Sequence, residues 1–288
     1  MNAYLIVALL SALFYAGMYV LDKYIISRKL YNDGAYLSFV GIVYIVYSAI
    51  IALFLNWRNI SAYDLIIPIL VGIIICVQTH FYMKLQHTED ISHVAGLEYV
   101  YPILVAILSF IFLNERLSVL SYVGALIIIS GALILSVRLH KIKNSIIMII
   151  FLIIVVALNE FIIKISTSQI NALNGAIISL MTFGFVQSLR LFSKNARTNL
   201  ITQARKIVVI LLITEIIGFL ALITLYLAMS NISATIVSTI ATMQVLFVLV
   251  LEKIADKHLG TIIKDHLLTP KIIGIVLVIV GAIVLLVA

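Results

Sequence analysis

Charge is scarce in this 288-residue chain: only 11% of its residues are Asp, Glu, Lys or Arg. A soluble globular domain carries about 25%, so this chain cannot coat a water-facing globule. Cysteine is scarcer still. Cys76 stands alone, which excludes a disulfide framework and a cysteine metal cage. The first apolar run lacks a basic n-region, and Asp22-Lys23 follows it in place of a small-residue cleavage site, so it does not read as a cleaved signal peptide. Catalytic signatures are missing as well. The sequence holds no H-E-x-x-H, no phosphate-cradling glycine loop, no G-x-S-x-G and no paired metal-ligand motif. Neither enzymatic activity nor a cofactor or metal is expected.

Hydrophobic residues make up the difference, at 64% of the chain with a mean hydropathy of +1.24. Crossing the hydrocarbon layer takes about 20 apolar residues in helix. Ten runs qualify, near 3–21, 35–56, 63–84, 92–113, 118–137, 145–163, 173–192, 207–228, 232–251 and 271–287. Barrel strands are short and alternate polar with apolar residues, which Ile146 to Leu158 does not. Backbone amides in lipid must pair within their own segment, so the runs read as helices. The fold class expected is an all-α, multi-pass integral membrane protein of the cell membrane.

The chain is also written twice. A shift of 141 positions lays Lys23 on Lys164, Ala16 on Ala157, Gly34-Ala35 on Gly175-Ala176, Ser38 on Ser179 and Ile91-Ser92 on Ile232-Ser233. The units are 1–140 and 141–288, five runs each. Five is odd, so the second copy enters the membrane upside down, the arrangement of secondary transporters with a site between their halves.

Net charge is +7, but its placement follows membrane boundaries rather than a nucleic-acid surface. Only Arg58, Arg116 and Lys164 fall on the side that holds both termini; the other 16 of 19 basic residues lie opposite. The positive-inside bias then predicts cytoplasmic odd-numbered loops, including a basic loop from Arg190 to Lys206, and termini outside. That loop could also meet anionic lipid heads.

Several segments resemble a known family. Ala95 to Pro102, followed by Leu113-Asn114-Glu115-Arg116-Leu117-Ser118, resembles the fourth helix and acidic-basic turn of EamA-like transporters, in the drug/metabolite transporter superfamily. Gly124 and Gly131 resemble its glycine-bearing fifth helix, with Gly274 and Gly281 repeating their spacing, and Tyr15-Ala16-Gly17 is similar to its first-helix signature. The resemblance implies ten helices in two inverted five-helix halves. It also implies a central cavity lined by helices 1, 3, 4, 6, 8 and 9 and open to one side at a time. Asn159-Glu160 departs from it, standing where the sixth helix usually carries an aromatic-glycine pair.

Ionisable groups inside spans are costly and normally face the interior or a wet cavity. Glu98 is the sharpest candidate, one turn before Tyr101 and Pro102, whose missing N–H would free a carbonyl where substrate is met. Glu215 lies well inside the eighth run on one stripe with Phe219, Leu222 and Tyr226. Glu160 is followed at i+4 by Lys164, an order that favours a helical ion pair. Gln78 and Tyr82 share a face of the third run, His80 lies on another and could titrate near neutral pH, and Gln244 and Tyr15 complete the candidates. Asp22 and Lys23 read as a solvated boundary. Each candidate also has a packing role open to it, since intramembrane polar groups glue helices as readily as they bind ligand.

The function expected is secondary transport of a small organic metabolite or amino acid, with the acidic groups pointing to proton coupling or an amino-bearing cargo. A non-transporting scaffold or sensor with the same fold, and an intramembrane enzyme, are the alternatives. The partners expected are the bilayer and a small-molecule substrate, with no nucleic acid.

Overall fold

A computed structural model describes residues 2–27, 33–58, 60–88, 100–136, 146–259 and 268–287. Among them there is helix and no strand. In chain order the helices are α1 (Asn2–Ser27), α2 (Asp33–Ala52), α3 (Ile66–Thr88), α4 (Tyr101–Phe112), α5 (Val119–Ser136), α6 (Ile146–Gln169), α7 (Ala172–Ser188), α8 (Lys194–Met229), α9 (Ala234–Ala241), α10 (Gln244–Leu259) and α11 (Leu268–Val287). Among the described residues seven segments are long and apolar enough to cross a membrane, one of them running through α9 and α10 as Ala234–Ala255; Tyr101–Phe112, Val119–Ile134 and Ile272–Leu285 are shorter apolar helices. Large apolar side chains face outward along them, with Phe192 89% and Ile147 81% exposed. Such a surface suits lipid and not water.

The basic segment expected as a loop is a helix. Leu189–Phe192 forms a 3-10 turn carrying Arg190, and α8 begins at Lys194, well before its apolar part at Val208–Met229. At 1.5 Å per residue its 36 residues extend about 54 Å. The membrane needs little more than half of that, so the basic end projects beyond the hydrocarbon.

Packing pairs α2 with α7 and α5 with α11, while α1 lies against α8 and α3 against α6. Glycines set the first two contacts. A Cβ on Gly41 would stand 2.5 Å from Ser188 N and 2.7 Å from Gly184 O. One on Gly131 would meet Gly274 O and Val278 N at 2.8 Å, and one on Gly281 would meet Gly124 O at 2.8 Å. Backbone therefore touches backbone, as small residues allow between membrane helices.

At one end of the bundle the even-numbered connections are tied together. Asn174 Nδ2 donates to Asn56 O at 2.9 Å. Lys164 Nζ donates to Met229 O at 2.7 Å and Ile232 O at 2.8 Å, and stands 3.9 Å from Glu115 Oε1, which accepts Ala234 N–H at 3.1 Å. Lys164 thus pairs with Glu115 across the two halves and not with Glu160 one turn before it.

Candidate functional site

A cavity of about 180 Å³ opens within the bundle. Its walls come from α1, α3, α4, α6, α8, α9 and α10, and also from α2 and α7, which the sequence did not single out. Tyr15, Gln78, Tyr82, Tyr101, Glu160, Glu215 and Gln244 all line it. Glu98 lies outside the described residues. His80 does not reach the cavity; it is exposed and sits edge-on to Phe81, with centroids 5.6 Å apart. The helical period explains this, since Ile75, Gln78, Thr79 and Tyr82 share the inward face of α3. Tyr226 is fully buried away from the cavity, its hydroxyl 2.6 Å from Ser179 Oγ.

The chemistry gathers at two places. At the first, Tyr36 of α2 reaches Asp22 Oδ1 on α1 at 2.7 Å and Glu215 Oε1 on α8 at 3.1 Å. Tyr44, two turns along α2, also lines the cavity beside them. Asp22 is therefore a cavity residue and not a solvated boundary. It lies five positions before the end of α1, and α2 and α8 close over it. A phenol owns a single hydrogen, so both contacts of Tyr36 are hydrogen bonds only when one of the two carboxyls carries a proton.

At the second place, Tyr101 Oη donates to Glu160 Oε1 at 2.8 Å and also stands 3.3 Å from Ser238 O of α9. Asn159 Nδ2 reaches Gln78 Oε1 at 3.5 Å. Glu160 Oε2 and Asn159 Oδ1, on consecutive residues of one wall, are buried with no hydrogen-bond partner among the described residues. An acceptor left in that state costs about 1–3 kcal/mol, and folded proteins leave few of them.

Two backbone features frame the second site. Pro102 occupies the first turn of α4, where a missing N–H costs nothing. The expected break concerns the residues before it, 89–99, which lie outside the described residues. A break is described in the other half, where α9 ends at Ala241 and α10 resumes at Gln244. Tight turns Thr242 N–H to Thr239 O and Met243 N–H to Ile240 O join them. Ala241 and Gln244, on either side, both line the cavity. Non-helical backbone at membrane depth is tolerated where protein buries it or a cavity meets it.

Aromatic rings cover much of the remaining wall. Tyr19 and Tyr82 meet edge to face at 5.2 Å, and Tyr44 and Phe183 at 5.1 Å. Three carboxyls face the space, from Asp22, Glu160 and Glu215, and no Lys, Arg or His does so among the described residues. Tyr36 and Tyr44 were missed at the sequence level, although their spacing with Val40 (i, i+4, i+8) aligns them on one face of α2.

A solved structure titled only as the crystal structure of a protein superposes with a TM-score of 0.73, covering 99% of this chain and 97% of that one. Identity is 11%, so the likeness is one of fold alone. No curated protein matches the chain. Residues 2–137 match the family model described as the EamA-like transporter family. Over residues 2–137 the chain is thus similar to the EamA-like transporter family, of the drug/metabolite transporter superfamily, and this match with the apolar helices supports an integral membrane protein.

Proposed function

We propose that this chain is a secondary transporter that carries a small organic cation across the cell membrane by alternating access, coupled to protons. The observation that carries the reading is the sign of the cavity. Three carboxyls and a wall of tyrosines face it without a basic side chain among the described residues, in a protein whose net charge is +7. Such a space attracts a cation, and aromatic faces add to the attraction. The same carboxyls bind protons, so proton and cargo compete for one charge.

The mechanism needs two halves, 1–140 and 141–288, that are inverted copies. The glycine contacts support this. Gly124 meets Gly281 and Gly131 meets Gly274, so the partner number falls as the first one rises, and α5 and α11 run antiparallel. A 150-residue offset makes Gly274 and Gly281 the equivalents of Gly124 and Gly131. Each contact is thus the other with its partners exchanged, the mark of a two-fold. Gly41 and Gly184 give the same reading for α2 and α7, because Ile45 N also faces Gly184. Equivalent helices that run antiparallel support a two-fold axis across them, the relation that inverted repeats require. Glu98 joins the proposal on its sequence position alone.

The test is flux into proteoliposomes from a labelled panel of organic cations, neutral analogues and anions, with and without a pH gradient. Cations should accumulate, the gradient should drive them, and Glu98→Gln should slow or uncouple them at equal protein content. Uptake that ignores the sign of the cargo charge would sink the reading, and absence of any uptake would favour a scaffold.

A further inference from the structure

We propose that the cavity divides its two tasks: Asn159 and Glu160 on α6 take the cargo ammonium, and the Asp22–Tyr36–Glu215 cluster holds the exchangeable proton. This rests on the cationic-cargo reading above and assigns its chemistry to atoms.

The two places differ in what they lack. The α6 wall is short of donors, because Glu160 Oε2 and Asn159 Oδ1 are buried and without a hydrogen-bond partner among the described residues. An ammonium brings three N–H donors and no acceptor, so one head group can serve both oxygens and neutralise the carboxylate. A neutral hydroxyl has a single hydrogen and leaves one oxygen unmet. An anion would set acceptors against acceptors. Gln78 Oε1, 3.5 Å from Asn159 Nδ2, adds a further acceptor on the facing helix.

The other cluster lacks nothing once it holds a single proton. Tyr36 spans Asp22 and Glu215 at 2.7 and 3.1 Å, and neither acid has a buried oxygen left unpartnered. The groups around the pair are Tyr15 on α1 and Tyr36, Tyr44 and Tyr47 on α2. Across the cavity stand Tyr82, Tyr101 and Glu160. The described lining residues of α7, α9 and α10 are not ionisable. Loss of the proton to water would leave two anions on one phenol, and like charges that close repel. Asp22 belongs to the first half and Glu215 to the second, on helices that pack together. The proton therefore acts on the contact between the halves, while the ammonium sits apart from it.

The experiment uses purified full-length protein with labelled phenethylamine as probe and phenethyl alcohol as its neutral counterpart. Binding is measured in detergent and flux in proteoliposomes. Glu160→Gln should weaken phenethylamine binding about 10- to 100-fold, the worth of a charge-assisted contact. Proton uptake on a pH step, followed in weak buffer, should persist in that variant. Glu160→Asp keeps the charge and should recover much of the binding, which separates a lost contact from a misfolded protein. Asp22→Asn and Glu215→Gln should flatten the pH dependence of phenethylamine flux and abolish accumulation driven by the gradient. Wild-type binding by Glu160→Gln, or a loss of binding in Glu215→Gln as severe as in Glu160→Gln, overturns the division of tasks. Equal binding of alcohol and amine by the wild type instead overturns the cationic-cargo reading, so the two failures are distinguishable.

Discussion

Replacing Lys164 with Met should loosen the end of the bundle where the even-numbered connections meet. The ammonium donates to Met229 O at 2.7 Å and Ile232 O at 2.8 Å, at the C-terminal end of α8, where the last carbonyls have no helical donor. Positive charge is favoured at such an end. Two charge-assisted hydrogen bonds would contribute about 3–6 kcal/mol at about 1.5–3 each. The Lys164 side chain is 21% exposed, so water takes over part of the task in the variant. We expect a loss of about 2–3 kcal/mol. Glu115→Gln should cost less. It keeps an acceptor for Ala234 N–H and removes only a charge 3.9 Å from Lys164. With both side chains partly exposed, that charge is worth about 1 kcal/mol.

Because the two residues share one contact, the double variant should fall short of additivity by about 1 kcal/mol. The assay is reversible unfolding in mixed micelles, with the midpoint followed by Trp57 fluorescence and circular dichroism. The reasoning fails if Lys164→Met costs under about 0.5 kcal/mol, or if Glu115→Gln is the more damaging of the two. Strict additivity would show that the pair, though 3.9 Å apart, is not coupled.

Gly131→Leu should force α5 and α11 apart, since even a Cβ would lie 2.8 Å from Gly274 O and Val278 N. A loss of about 1–3 kcal/mol or more is expected, whereas Gly17→Ala, whose nearest neighbour would be Ile217 at 3.5 Å, should unfold at the wild-type midpoint. For orientation, the 16-to-3 bias predicts that Ser193, exposed at the start of α8, is cytoplasmic. Ser193→Cys in a Cys76→Ala background should resist an impermeant thiol reagent in intact cells, and efficient labelling would reverse the assignment.

Much of the architecture was legible because the bilayer imposes a length. A run such as Ile146 to Leu158 has only one physical solution in lipid, and it became α6. Charged helix was not legible. Lys194 to Lys206 shows no apolar period, so it read as a loop, yet it extends α8. Within the cavity, Gln78 and Tyr82 could be aligned by helical spacing, since one helix carries both. The Asp22–Tyr36–Glu215 cluster could not. Its members lie 14 and 179 positions apart from the tyrosine, and three helices from two halves must pack before a carboxyl near the end of α1 becomes a cavity group. Lys164 misled for a similar reason: a favourable i+4 partner was visible in the sequence, and the better partners across the fold were not. The gap between α9 and α10 gave no signal either, since no proline or glycine lies between Ala234 and Gln244.

In the inverted-repeat reading proposed above, the repeat governs the backbone and not the chemistry. The 141-residue offset lays Glu160 on Tyr19, Asn159 on Met18, Glu215 on Ile74 and Asp22 on Ile163. Tyr36 falls on Ile177 and Tyr101 on Thr242. None of the polar groups that face the cavity is reproduced by its equivalent, while the paired glycines of α5 and α11 are. The division has a physical basis. Exchange between two access states asks that the halves swap packing at little cost, which equivalent helix contacts supply. A single asymmetric cargo asks for something else, namely an ammonium-accepting wall in one place and a proton-holding cluster in another. Two identical polar sites would bind the head group in two poses and gain nothing from the apolar body that follows it. On the reading proposed above, unlike groups at equivalent positions, such as Glu160 and Tyr19 or Glu215 and Ile74, would give the cargo one orientation, while inverted halves would present it in turn to either face of the membrane.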